Sequence, residues 1–310
     1  MESTMSELTI LADGLRFPEG PIAMPDGSVL LVEIARGTLS RVREGRLDVV
    51  ADLGGGPNGA AIGPDGACFV CNNGGFEWIE HKGRLFPGEQ AHDYGGGRIE
   101  RVDLATGATN TLYTHCDGQP LRGPNDIVFD RTGGFWFTDH GKTRTRERDR
   151  TGVFYARADG SHIEEVIFPL EGPNGIGLSP DEDELYVAET TTGRLWAYEL
   201  AGPGRLKGAR RTKPDGGRLV PGRSGYFFFD SLAVDAEGNV CVATIADGGI
   251  TVLKPRGGEP EFVPMPDGLT TNICFGGPDL RTAFVTLSSI GQLVALPWAR
   301  PGLPLNFLNR

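Results

Sequence analysis

No stretch of this sequence keeps the 3.6-residue apolar period of a helix, and no apolar run approaches the ~20 residues that span a bilayer. The first absence leaves strands to build the core. The second argues against a membrane partner. Cysteine is also scarce: five residues, an odd number at irregular spacing, make no disulfide framework. Cys68 and Cys71 form a lone C-x-x-C in an apolar strand-like run, where side chains three apart face opposite ways. With no second pair to complete a zinc site, they read as small buried hydrophobes. Basic residues are in deficit, with 30 Lys and Arg against 41 Asp and Glu and a formal net charge of -11. A chain this acidic has no general attraction for phosphate backbones, so nucleic acid is not an expected partner. The opening MESTMSELTI lacks the basic-then-apolar pattern of an export leader. Unpaired cysteines and no leader together predict the reducing cytoplasm.

What is abundant is glycine, 47 of 310 residues, spread along the chain beside Asp, Asn and Pro. That distribution means many tight turns and a β-rich fold. Six segments repeat one pattern, starting at Glu19, Asn58, Asn125, Asn174, Asp230 and Asn272. Each opens on a polar residue, runs through a short apolar stretch and a turn cluster, and ends in a second apolar stretch. Asp26-Gly27 and Asp65-Gly66 supply the left-handed position of a tight hairpin, and Thr132-Gly133 and Glu237-Gly238 occupy the matching places. The fourth and sixth copies have the more polar turns Asp181–Glu184 and Pro278–Arg281, read as longer hairpins. Outer strand pairs are expected from 98–113, 152–167 and 193–202. Repeats of four strands arranged radially make a propeller. The prediction is therefore an all-β, six-bladed β-propeller with four strands per blade, spanning 1–310 as one domain. GQLVALPW after the last copy and Leu8–Ala12 would close one blade from both chain ends.

The inner strand of a propeller blade lies nearest the axis, so the six opening residues should converge there. All six are oxygen donors, and none is His or Cys. Hard oxygen ligands point to Ca²⁺ or Mg²⁺, with Mn²⁺ an alternative, and argue against Zn²⁺ as the native ion. Polar residues at repeat starts also cap turns in many β-folds. Six equivalent polar positions, two of them acidic, favour a metal, because buried charges are paired or coordinate one. The residues ending the second strands, Glu33, Asn72, Asp139, Glu189, Thr244 and Thr286, return beside these positions and would either orient ligands or cap strand ends.

The elements Phe17-Pro18-Glu19-Gly20-Pro21, Gly123-Pro124-Asn125-Asp126, Gly172-Pro173-Asn174-Gly175 and Phe229-Asp230-Ser231-Leu232 fall in order within the repeat. In them the chain strongly resembles the SMP-30/gluconolactonase/luciferin-regenerating-enzyme family. The resemblance covers residue 15 to about 287. It implies one divalent metal on the axis, Ca²⁺ first, with Mg²⁺, Mn²⁺ or Zn²⁺ as substitutes. Glu19, Asn174 and Asp230 would be core ligands, and Asn125 a fourth ligand or a substrate contact. It also implies hydrolysis of a small-molecule lactone, chiefly of a sugar acid, with Asp230 as general base or nucleophile. Arg122 is the candidate for the family's substrate arginine, although its offset from Asn125 differs from the usual one. His140 would contact substrate or relay a proton, or serve only as a structural residue. Rival readings are a phosphotriesterase or fluorophosphatase on the same propeller, and a calcium-binding regulator without turnover. Two segments lack a family counterpart, Phe76–Gly97 and the basic run Lys142–Arg150. Both are placed on the active-site side, and the basic run is read as a solvated loop.

Overall fold

A computed structural model describes residues 8–208 and 216–310; most of the segment read for a leader, residues 1–7, lies outside them. The repeats form six antiparallel sheets, each with its strands in order from axis to rim. Blade 1 is Pro18–Ala23, Val29–Glu33, Thr38–Arg43 and Arg46–Asp52. The inner strands of blades 2 to 5 are Pro57–Ile62, Pro124–Phe129, Pro173–Leu178 and Phe228–Val234. Blade 6 is built from Thr270–Gly276, Thr282–Leu287 and Gln292–Pro297, with Thr9–Ala12 as its outermost strand. Thr9 lies opposite Ala295 and Ile10 opposite Val294, so both chain ends close one blade as expected. Neighbouring inner strands touch all the way round, the first against the sixth included. Among the described residues no helix is long and apolar enough to cross a membrane.

Second strands such as Val29–Glu33, Cys68–Asn72 and Gly134–Asp139 are buried along their whole length, because a blade is covered on both faces by its neighbours. Their apolar residues therefore fill two different interfaces by turns. Cys68 packs toward blade 1 with Ile22 and Val32, while Cys71 packs toward blade 3 with Phe129 and Phe135. All five cysteines are free and buried. The inner hairpins turn through Gly27, Gly66, Gly133 and Gly238, all at positive φ. In blades 4 and 6 the same position is held by Glu182 (φ 58°) and Leu280 (φ 56°). These two turns span no more residues than those of blades 1, 2 and 5, so the expected longer hairpins are not formed.

Beyond the sixth blade, residues 299–310 turn back beneath the ring. Gly302 N donates to Leu280 O (2.8 Å), Leu303 N to Val234 O (2.9 Å), and Asn306 Nδ2 to Phe129 O (3.1 Å). Phe307 meets Phe129 edge-on, and Asn306 and Arg310 both engage Glu182. Arg300 is anchored on Asp235, a fully buried carboxylate, at 2.8 Å. The segment closes the axis from below. Above it lies a cavity of about 110 Å³ reaching up to Asp126 and Asn272.

Candidate functional site

In each blade the pairing of the first two strands slips where the repeat opens. The irregularity falls between Glu19 and Ile22, Pro57 and Ala60, Pro124 and Ile127, Pro173 and Ile176, Phe229 and Leu232, and Thr270 and Asn272. A β-bulge breaks strict alternation and re-aims a side chain. Here it lies at or beside Glu19, Asn58, Asn125, Asn174, Asp230 and Asn272, all of them buried.

Three of these residues are followed by glycine, and the packing explains why. A Cβ on Gly20 would lie 2.6 Å from Asn58 O, and one on Gly175 would lie 2.7 Å from Asp230 O. One on Gly59 would collide with Asn125 O and the Asp126 backbone. Each glycine thus lets its bulge press directly on the next blade's bulge, which draws the polar residues inward. Blade 3 departs from this pattern by placing Asp126 after Asn125.

Sequence reasoning assigned no role to Asp126, yet it is a third buried carboxylate at the axis. Its signal was available as an acidic residue where blades 1, 2 and 4 have glycine. Burial, then the Glu19 charge, pushes its carboxyl up to about 8. The Asp230 carboxyl is held well above the usual range by burial and by Glu19, against a hydrogen bond from Asn174. Glu19 is raised by burial, although Asn272 Nδ2 donates to its Oε2 at 2.8 Å. Asn174 Nδ2 also donates to Thr190 Oγ1 (3.0 Å), and Ser231 Oγ lies 3.5 Å from Asn174 Oδ1. Asn125 Oδ1 is buried without a hydrogen-bond partner.

In blades 1 to 4 the second-strand ends return beside these positions and hold the loops that enter the inner strand. Thr244 instead bonds to Thr251 and Val242 O, and Thr286 to Thr271 and Asn272 O. Glu33 accepts from Arg16 N (2.8 Å), and Asn72 Oδ1 from Gly56 N (2.9 Å). Asp139 accepts from Arg122 N and Gly123 N (both 2.7 Å), and Glu189 from Glu171 N (2.8 Å). These side chains fix the backbone immediately before Glu19, Asn58, Asn125 and Asn174.

The two unmatched segments form a partial roof on the same face. Phe76–His81 and Arg84–Gln90 are a hairpin that leaves blade 2 and reaches the seam of blades 5 and 6. There Leu85 N donates to Ser289 O (2.9 Å), and Arg84 Nη1 lies 3.0 Å from the fully buried Asp267. On the way Trp78 packs on Phe17, two residues from Glu19. The basic run is not simply a solvated loop. Lys142 is buried, donating to Asn73 Oδ1 (3.0 Å) and Gly75 O (2.7 Å) with Nζ 4.0 Å above the Phe76 ring. Burial lowers its ammonium to about 7 although Asp139 and Asp149 favour the charged form. Charge alone predicted solvent, but a tight cradle from blade 2 takes this residue in. Arg84→Ala is expected to speed amide exchange in 76–90 roughly tenfold, the worth of one charged hydrogen bond, while exchange within the blades stays unchanged. Unchanged exchange in the hairpin would show that this ion pair does not hold it.

His140 and Arg122 lie beside this roof, His140 against Gly172 just before the blade 4 bulge and Arg122 two residues before the blade 3 bulge. His140 Nε2 is 3.2 Å from Arg148 Nη2 and so acts as acceptor. Burial and the Arg148 and Lys142 charges pull its ring down to about 3, leaving it neutral. Arg122 has its main chain held by Asp139 and by Tyr94, whose hydroxyl donates to Arg122 O (2.6 Å), while its side chain is exposed.

The axial residues suit a cation. Three carboxylates are buried with no Lys or Arg ion pair to any of them among the described residues, and an amide oxygen beside them has no donor. No three His, Cys, Asp or Glu side chains among the described residues converge closely enough to hold an ion alone, so amide oxygens must complete any ligand set.

The molecule is thus a closed six-bladed propeller whose axis holds a buried carboxylate–amide centre. Its sequence matches the model of the SMP-30/gluconolactonase/LRE-like region over residues 17–289, and the chain belongs to that family. It is 25% identical over 312 residues to the gluconolactonase of Zymomonas mobilis, covering 91% of this chain and 79% of that protein. It is 30% identical over 253 residues to the lactonase drp35 of Staphylococcus haemolyticus, covering 81% and 70%. Among solved structures, the calcium-binding protein regucalcin of Agrobacterium tumefaciens superposes with a TM-score of 0.75 at 20% identity, covering 98% of each chain.

Proposed function

We propose that this chain hydrolyses lactones of sugar acids at the axial centre, with Glu19, Asn125, Asn174 and Asp230 holding one divalent ion, Ca²⁺ before Mg²⁺, Mn²⁺ or Zn²⁺. The observation that carries the reading is the buried Glu19–Asp230 pair beside the unpartnered Asn125 oxygen. Buried like charges of this kind call for a cation. The names of the gluconolactonase and lactonase relatives support the substrate class, and regucalcin supports calcium.

A divalent ion in such a site supplies positive charge for the carbonyl oxygen as it turns negative. The protein's own groups supply the rest. Asp230, ionised once the site holds its cation, would take a proton from the attacking water. The hydroxyl oxygen bonds to the carbonyl carbon, the acyl–oxygen bond breaks, and the ring oxygen leaves with the proton that Asp230 took. Ring and water together become one hydroxy acid. Asn174 orients the Asp230 carboxyl. Arg122 and neutral His140 at the rim are read as substrate contacts. The Phe76–Gln90 hairpin limits water on the blade 1 side.

The test is a panel of aldonolactones against aryl phosphotriesters, with and without chelator. Chelator-sensitive opening of the lactones is expected. Turnover confined to the phosphotriesters, or calcium binding with no turnover at all, would overturn the reading. Single turnover in labelled water should leave no label in Asp230. Label there would make it the nucleophile instead.

A further inference from the structure

We propose that Phe17 and Trp78 are positioning residues for Glu19. The Phe76–Gln90 hairpin, through Trp78, holds Phe17 in a left-handed turn, and that turn sets where the Glu19 carboxylate lies. The inference rests on the axial reading and gives the hairpin a part beyond limiting water.

Three inner strands are entered through Gly-Pro, at Gly56, Gly123 and Gly172, whereas the first is entered through Phe17-Pro18. Of these four residues before proline, Gly172 (φ 67°) and Phe17 (φ 59°) are left-handed. Glycine takes that conformation at no steric cost. A bulky side chain does not, and the proline that follows pushes the residue before it toward extended backbone. Such a residue persists only where its surroundings over-determine it. Phe17 is 5% exposed, and its ring centre lies 5.1 Å from that of Trp78. Phe76 and Leu85 join the same apolar cluster, so three of its members come from the hairpin. Ile34 and Leu269 complete the enclosure from blade 1 and from the loop before blade 6. A phenylalanine where glycine would serve the backbone is therefore explained by its ring, which ties the entry of blade 1 to the hairpin. Pro18 alone separates this turn from Glu19, and its ring fixes its own φ, so little freedom remains to absorb a change. Glu19 follows at the bulge and accepts from Asn272 Nδ2 at 2.8 Å.

The test is a double-mutant cycle of Trp78→Ala and Phe17→Gly in the full chain, read in two ways. In chelator-treated protein the Asn272 side-chain amide resonance, identified by its loss in Asn272→Asp, reports on Glu19 through their hydrogen bond. Trp78→Ala should shift it in the wild-type background. It should leave it nearly unmoved in the Phe17→Gly background, where glycine keeps the turn unaided. Calorimetric titration with Ca²⁺ should follow the same pattern. Binding is expected to weaken about tenfold when Trp78 is lost beside Phe17, and by less than about twofold in the Phe17→Gly background. Trp78→Phe keeps a ring against Phe17 and should retain most of the affinity. Unchanged amide exchange within the blades verifies that the variants are folded. A hairpin with no part in placing Glu19 would act equally in both backgrounds or not at all, and either result overturns the proposal. A wild type that binds no Ca²⁺ removes the axial metal reading instead, and the Asn272 resonance then decides this proposal alone.

Discussion

Asp230→Asn is expected to abolish hydrolysis and yet raise the melting temperature of the chelator-treated protein near neutral pH. Glu19, Asp126 and Asp230 are buried together, and each is raised by burial or by its neighbours. A carboxyl whose folded pKa exceeds its unfolded value binds its proton more tightly in the fold. Stability is then greatest in acid and falls as pH rises toward the folded value. For Asp126 that window runs up to about 8. Each such proton can cost up to about 1.4 kcal/mol per pH unit, so the slope is measurable by thermal unfolding in chelator. Removing one negative charge lowers its neighbours' pKa values and flattens the slope. Ca²⁺ should stabilise the wild type by mass action but not the variant. Activity should fall by roughly a thousandfold or more, as for loss of a general base that also holds the ion. A variant that kept its activity, or gained as much stability from Ca²⁺ as the wild type, would remove Asp230 from the site.

Gly175→Ala should damage the centre without touching any of its side chains. The added methyl would lie 2.7 Å from Asp230 O, 2.8 Å from Leu232 N and 2.9 Å from Ser231 C. All three are backbone atoms, so the bulge of blade 5 or that of blade 4 has to move. Asn174 precedes the substitution and Asp230 sits against it, so any relief shifts one relative to the other. A misplacement near 1 Å costs about a hundredfold in rate, and overpacking of this kind costs about 1–3 kcal/mol in stability. Gly222→Ala is the control. A Cβ there meets nothing within 4 Å, and near wild-type rate and melting temperature are expected. Full activity in Gly175→Ala would show that the close approach is not needed.

The repeat was legible because turn chemistry and apolar runs are local properties, written six times. Closure of blade 6 followed from counting strands at both ends. The opening positions were legible as oxygen donors, but their bulges were not, because a slipped register depends on how one blade presses on the next. That is why Asp126 escaped notice. Strict alternation turns it away from Asn125's side, whereas the bulge keeps both residues near the axis. Lys142 was misjudged for a similar reason. Its acceptors belong to Asn73 and Gly75, nearly seventy residues away in the chain, and nothing in the basic run announces them. The segment under the ring offered no pattern of its own; its contacts with Leu280, Val234 and Phe129 exist only once those blades are in place.

Glu19 belongs to the first blade and Asn272 to the sixth, and their hydrogen bond joins residues 253 positions apart. Until Gln292–Pro297 has emerged and paired with Thr9–Ala12, blade 6 has no finished sheet against which the first can rest. Contacts of such long range form late. During synthesis the nascent chain therefore carries its acidic residues on unjoined blades. The axial centre is complete only when the strands up to Pro297 are in place.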